Sequence, residues 1–358
     1  MIRVVTLGFL ILLALTGVVT VAAVATRAVR PLRDRRRHRL MARHRRDLLE
    51  FAAGEGDPDA LVDIPERAWK ALEPSAVQLL GKVRGEAREA IAGVFERRGA
   101  AVEAMRDLRR RGVVRRARAA EMLGTLGHAE AVPDLCALLD DRHPDLRIVC
   151  ARALGRLGDA AAAPALLRSL TGPRPTPSHL VAHALTHLGP DATPELIRAL
   201  DHADPQVRLT ALDALGLRGV AAARSQIAGL LERDGSLAVR TRAAAVLGRL
   251  GTGSTVDALV AATGAVHPTA LRGQAVRSLG ELGIRSAVEQ LAHLLADPHH
   301  EVAHQASRAL LRLGTTGLRA LESAASPGAP AAHAIEALAV QRLAAERATR
   351  SPVATDDR

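Results

Sequence analysis

The sequence predicts an all-α fold: an α-solenoid of about seven helix pairs behind a single N-terminal transmembrane helix. Three observations predict it. A Leu-x-x-Leu-Gly or Leu-x-x-x-Gly ending recurs with its final glycine at Gly127, Gly158, Gly189, Gly219, Gly251, Gly283 and Gly314, in steps of 31, 31, 30, 32, 32 and 31 residues. Apolar residues inside each unit recur at helical spacing. Val4 to Ala25 carries no charge over 22 residues. A period held over seven units means that each unit buries its apolar face only against its neighbours. Such arrays mostly present surfaces to other macromolecules.

In chain order, residues 4–25 come first. At 1.5 Å per residue they make roughly 33 Å of helix, enough for a hydrocarbon core of about 30 Å. Ala23-Val24-Ala25 offers an Ala-x-Ala site, so a cleaved signal peptide is the competing reading. Against cleavage stand the length of the run and the basic segment behind it. Residues 26–58 form a basic juxtamembrane segment and linker. Residues 1–46 hold eleven arginines against one acid, Asp34, a net of +10. Such a block stays on the cytoplasmic side. The expected localisation is the inner membrane, single-pass, N-terminus out, with the bulk of the chain cytoplasmic. The stretch from Arg27 to Arg46 also suits an anionic headgroup surface.

The same segment accounts for the high sequence pI of about 11.2. The whole chain is +11, so only +1 remains from Asp47 onward. That balance implies no broad basic face and argues against a nucleic-acid partner.

Residues 59–112 are expected to be a helical N-terminal cap shielding the first repeat's apolar face. Gly54 to Asp59 reads as a loop. Ile64 to Gly112 reads as about three helices, with Trp69, Leu72, Leu79, Leu80, Ile91 and Phe95 as core. Residues 113–344 are the repeats. Four residues before each final glycine stands a leucine: Leu123, Leu154, Leu185, Leu215, Leu247, Leu279 or Leu310. Eight before it stands a small residue: Ala119, Cys150, Val181, Ala211, Ala243, Ala275 or Ala306. The leucine fills the inter-repeat core and the small residue lets helices approach. In the fifth unit Val239, Ala243, Val246, Leu247 and Leu250 share a face, with Arg240, Arg242 and Arg249 off it. Gly251 suits a left-handed position past the helix end. A shorter second helix opens at Pro133, Pro164 or Pro194 in other units. Asp204-Pro205 and Asp297-Pro298 read as an N-cap and first helical residue. Ala331 to Leu343 reads as a degenerate last repeat, and residues 345–358 as a disordered tail.

Asp-Pro-x-Val-Arg at Asp204 to Arg208, with Val239-Arg240, Leu146-Arg147 and Leu271-Arg272, resembles bacterial HEAT repeats of the phycobilin-lyase-like type. Arg84-Gly85-Glu86, Gly99 and the run from Leu108 into Leu123-Gly124 resemble the N-terminal segment of membrane-anchored bacterial HEAT proteins. In that family the arginine is thought to tie adjacent repeats through the preceding aspartate. The third repeat lacks the pair, and the seventh has Val302-Ala303. The resemblance implies a membrane-anchored cytoplasmic scaffold for protein–protein interaction. By analogy with anchored relatives, its setting is an envelope-polysaccharide or glycosyltransferase complex.

Candidate chemistry is sparse. Cys150 occupies a core slot and Cys136 follows core Leu135, so both read as unpaired thiols in a reducing compartment. His179, His183 and His187 are spaced by four, which places imidazoles on one helical face. The outer two are about 12 Å apart along the axis, too far to share one ion easily. His183 and His187 fall in slots that hold Arg152, Arg156, Arg277, Arg308 and Arg312 elsewhere, so a solvated face is expected. Deoxyhypusine hydroxylase belongs to the same repeat class and uses repeated His-Glu pairs to hold two irons; this chain has one pair, His300-Glu301. No aromatic residue follows Phe95, so the repeats lack rings to cradle a tetrapyrrole. The expectation is a non-enzyme with no catalytic, cofactor or metal residues. The alternative is a HEAT-type metal-dependent oxidoreductase or lyase relative. Thr171 to Pro177, with three prolines, is the expected local partner contact.

Overall fold

The computed structural model describes residues 44–324, together with Ile335 and Ala337. The expected transmembrane helix, most of the basic segment, most of the degenerate last repeat and the tail lie outside the described residues. Among the described residues every element is helical, and no helix is long and apolar enough to cross a membrane. The chain divides into two compact units, with the boundary between His128 and Ala129.

In the first unit, residues 44–52 are helical. Four helices follow: α1 (Pro58–Val62), α2 (Glu66–Leu80), α3 (Glu86–Arg97) and α4 (Ala100–Leu108). Helix α1 starts inside the expected loop because Asp57 caps it, its side chain accepting from the Asp59 N–H, and Pro58 needs no donor there. Trp69, Leu72, Leu80, Ile91 and Phe95 are buried together, and Leu79 packs partly buried against them. Trp69 meets Phe95 edge-on with centroids 5.2 Å apart, and the Arg98 guanidinium lies 4.3 Å over the Trp69 ring. Helix α5 (Val113–Leu126), the long helix of the first repeat, packs on α4 within this unit. Arg88 fastens it by donating to the Leu80 and Thr125 carbonyls at 3.1 and 2.8 Å.

The second unit alternates short and long helices. The long ones are α7 (Pro144–Leu157), α9 (Ser178–His187), α11 (Pro205–Arg218), α13 (Leu237–Leu250), α15 (Thr269–Leu282) and α17 (His300–Arg312). The short ones are α6 (Val132–Ala137), α8 (Ala163–Arg168), α10 (Thr193–Arg198), α12 (Arg224–Arg233), α14 (Val256–Ala262), α16 (Val288–His293) and α18 (Gly314–Ala324). Each long helix packs on the next long one, which makes this unit a solenoid. The leucine four before each glycine is fully buried in all seven repeats, and the residue eight before it is buried likewise.

Two glycines depart from the expected left-handed cap. Gly127, Gly158, Gly219, Gly283 and Gly314 have positive φ, but Gly251 is extended at φ −64°, ψ 165° and Gly189 at φ −57°, ψ 166°. Pro190 forces the extended form on Gly189. At Gly251 the chain turns straight into a capping box between Thr252 and Thr255. The neighbouring repeat meets the helix-end carbonyls instead. Arg218 donates to the carbonyls of Leu185, Leu188 and Gly189 at 3.1, 2.8 and 3.0 Å, and Arg224 Nε donates to Leu250 O.

Candidate functional site

Arg147, Arg208, Arg240 and Arg272, near the starts of their long helices, reach into the junctions between repeats. Arg208 donates from Nη1 to the His202 and Ala203 carbonyls of its own loop, at 2.7 and 2.9 Å. Its Nε and Nη2 reach both oxygens of Asp234, at 2.7 and 2.8 Å, and the side chains are 13% and 4% exposed. The carboxylate therefore comes from the following repeat's loop. Asp204, the expected partner, instead caps α11 by accepting from the Gln206 N–H at 2.7 Å. Arg272 repeats the pattern, with Nε on Thr263 O at 3.0 Å and an ion pair to Asp297. Asp297 is thus no N-cap: it stands seventeen residues before its final glycine, Asp204 fifteen before its own, and α17 begins later, at His300. Burial pushes the Asp297 carboxyl up, but the His299 N–H and the Arg272 guanidinium together hold it below its ordinary value.

Elsewhere the ladder changes its acceptor. Arg240 reaches Leu231 O at 2.9 Å and His267 Nδ1 at 3.3 Å. Arg147 is buried, donates to its own loop at Asp141 O, and keeps an Nε without a hydrogen bond. The following loop has Gly172 in the slot that holds Asp234 and Asp297. Arg208, Arg240 and Arg272 thus act as structural fasteners between repeats.

Outward, the long helices of the second unit present a row of aligned residues. In them, the residues six and two before the final glycine are exposed at ten of twelve positions, with Asp213 and Ala245 half-buried. Arg152, Arg156, Arg277, Arg308 and Arg312 stand there, all exposed, and so do His183 and His187. The two imidazoles lie 4.4 Å apart by centroid, and His187 Nδ1 is 2.8 Å from the His183 carbonyl oxygen. His179 is exposed as well. Among the described residues no group of three or more His, Cys, Asp or Glu is arranged to hold a metal ion. Asp213 and Glu281 also lie on the row. Asp213 pairs with Arg242 at 2.9 Å and Glu281 with Arg312 at 3.7 Å, each across adjacent long helices. Between α15 and α17 the row dips into a cleft of about 170 Å³ lined by Arg277, Glu281, Gln305, Arg308, Ala309 and Arg312.

The other candidates are dispersed. Cys150 is fully buried and Cys136 half-buried, with no disulfide between them; burial pushes the Cys136 thiol up, away from the reactive thiolate. His300 and Glu301 are exposed. Glu301 accepts from Gln305 at 2.9 Å, and the His300 ring stacks at 6.1 Å on His304. Thr171 to Pro177 is exposed apart from Thr171 and Thr176; Thr176 is buried and its hydroxyl makes no hydrogen bond. The first unit carries its own groove of about 470 Å³ lined by Arg98, Gly99, Val102, Glu103, Arg106, Asp107 and Arg110.

Comparison with known proteins agrees with the repeat geometry. The family model described as HEAT repeats matches residues 102–186 and 193–270, and the one described as PBS lyase HEAT-like repeat matches 271–297. No curated protein matches the chain. Among solved structures it is similar to the CpcE–CpcF complex of phycocyanin lyase from Nostoc sp. PCC7120, at 27% identity, 62% of this chain, 92% of that chain and a TM-score of 0.32. Human deoxyhypusine hydroxylase in complex with glycerol matches at 20% identity, 75% of this chain, 96% of that chain and a TM-score of 0.32. Kap121p bound to Nup53p matches at 14% identity and a TM-score of 0.47, over 76% of this chain and 37% of Kap121p.

Proposed function

Because the chain belongs to the HEAT-repeat family, we propose that it is a non-enzymatic, membrane-anchored scaffold that holds a protein partner on its repeats. The observation that carries this reading is the row along the stacked long helices, exposed at ten of its twelve positions. A row of this kind offers extended contact area and no enclosed reaction chamber. The uncharged stretch Val4 to Ala25 supports a single-pass anchor, and the arginines from Arg27 to Arg46 support an inner-membrane orientation with the repeats cytoplasmic. By analogy with anchored HEAT relatives, the partner belongs to an envelope-polysaccharide or glycosyltransferase complex.

Affinity purification of the full chain from detergent-solubilised membranes tests this. A protein recovered in stoichiometric amount, with no bound iron or zinc, is the expected result. Stoichiometric metal and no partner would move the function to a metal-dependent oxidoreductase or lyase. A reporter fused after Arg358 tests the topology: activity in the cytoplasm is expected, and activity outside it would overturn the anchor.

A further inference from the structure

We infer that the exposed row of the second unit is a docking groove for an acidic segment of a protein partner, with an apolar residue near the segment's middle. This rests on the scaffold reading and names the face and the partner's chemistry.

Charge segregation carries the inference. Residues 129–358 hold 24 arginines, no lysine and 23 acids, a nearly neutral balance. The row does not share it. Counting the positions six and two before each glycine from Gly158 to Gly314, six are arginine, two histidine and two acidic. The remainder of the unit is therefore net negative. Both acids of the row are engaged by arginines, Asp213 by Arg242 and Glu281 by Arg312. Arg277 and Arg308, facing one another across the cleft between α15 and α17, bring two further cations to one concavity. Arginines with low-dielectric walls behind them focus an attractive potential on carboxylates and can bind them with two parallel hydrogen bonds.

The rest of the row narrows the class of ligand. Near its middle stands Leu217, 63% exposed, followed by Ala245. Exposed leucine between flanking cations suits a segment with acids at its ends and an apolar side chain between them. A nucleic-acid strand fits less well, because the row interrupts its cations with two carboxylates and offers no aromatic ring for a base to stack on. Adjacent long helices are about 8–10 Å apart, so a segment crossing several repeats meets a new pair of positions at each step.

The test uses the full chain in detergent micelles and a fluorescein-labelled peptide of two leucines flanked on each side by four glutamates. The variant Arg249→Glu, Arg277→Glu, Arg308→Glu should bind at least about 10-fold more weakly, since like charges now face each other. The control variant Arg198→Glu, Arg233→Glu, Arg319→Glu makes the same charge change at exposed positions off the row and should bind within about 2-fold of wild type. Both are first checked for wild-type helicity; if the triple variant fails, Arg277→Glu and Arg308→Glu singly take its place. Equal loss in both variants, or loss in neither, overturns the groove. So does tighter binding of labelled oligothymidylate or phosphatidylglycerol vesicles that only the row variant loses. If a partner purified from membranes is still held by the row variant, the scaffold reading stands and this face is wrong.

Discussion

Gly155 faces the backbone of Ala184 so closely that a β-carbon on it would stand 2.8 Å from the Ala184 Cα. The same approach recurs between Gly280 and Ala309, at 2.7 Å, and between Gly248 and Ser278, at 2.9 Å to the Cα. The glycine three before the final one therefore sets how near consecutive long helices come. A backbone atom cannot rotate away as a side chain can. Gly155→Ala and Gly280→Ala should each destabilise by about 1–3 kcal/mol, by overpacking. Gly273→Ala is the control: it lies inside α15 with nothing within 4 Å of an added β-carbon. It should stabilise by about 0.5–1 kcal/mol through helix propensity. Chemical denaturation followed by circular dichroism reads both signs.

The core and the exposed row should separate by mutation within one helix. Leu247 is fully buried and Arg249 exposed. Leu247→Ala should cost about 2–5 kcal/mol, as for other buried leucines, and Arg249→Ala should stay within about 0.5 kcal/mol of wild type. Equal effects in the same melts would contradict the helical phase.

The Arg272–Asp297 pair, with both side chains 4% exposed, should give the repeats an acid-sensitive fastener. Asp297 is held below its ordinary value in the folded chain, so its contribution is complete above the ordinary carboxylate range near pH 4. It is lost as pH falls through the lower folded value. The stability gap between wild type and Asp297→Asn should be constant at neutral pH and shrink below about pH 4. Arg272→Ala should cost about 3 kcal/mol at neutral pH, because it strands a buried carboxylate. A gap that widens on acidification would reverse the assignment.

The histidines offer a sharper check on hidden chemistry. His183 and His187 lie together on the exposed row. Replacing His179, His183 and His187 together with alanine should leave metal content unchanged, with surface effects under about 0.5 kcal/mol each. Loss of bound zinc or iron on elemental analysis would make the metal-dependent alternative the leading one.

Much of this architecture was legible in the sequence because its period acts on every repeat alike. The leucine slot ending at Leu310 and the small-residue slot ending at Ala306 are each buried in all seven repeats. What could not be read locally depends on contacts about thirty residues away. Asp204 and Asp297 both precede proline, yet one caps a helix and the other binds an arginine, because they occupy different slots in the stack. Gly189 and Gly251 keep the repeat's glycine without its left-handed turn, because Pro190 and the Thr252–Thr255 capping box follow them, and arginines of the following or preceding repeat meet the helix-end carbonyls. The exposed row itself was legible, since the slots of Arg152, Arg156, Arg277, Arg308 and Arg312 read as a solvated face; its charge excess was not, because net charge averages over the whole body.

The central claim is that the repeats hold a protein along the exposed row, and in-cell photo-crosslinking tests it most directly. A benzoylphenylalanine substituted for Leu217 should, after irradiation of living cells, yield one discrete adduct of higher mass containing a second protein. The same substitution at Val266, 87% exposed in a loop off the row, should yield none. No adduct from position 217, or the same adduct from both positions, would contradict the account.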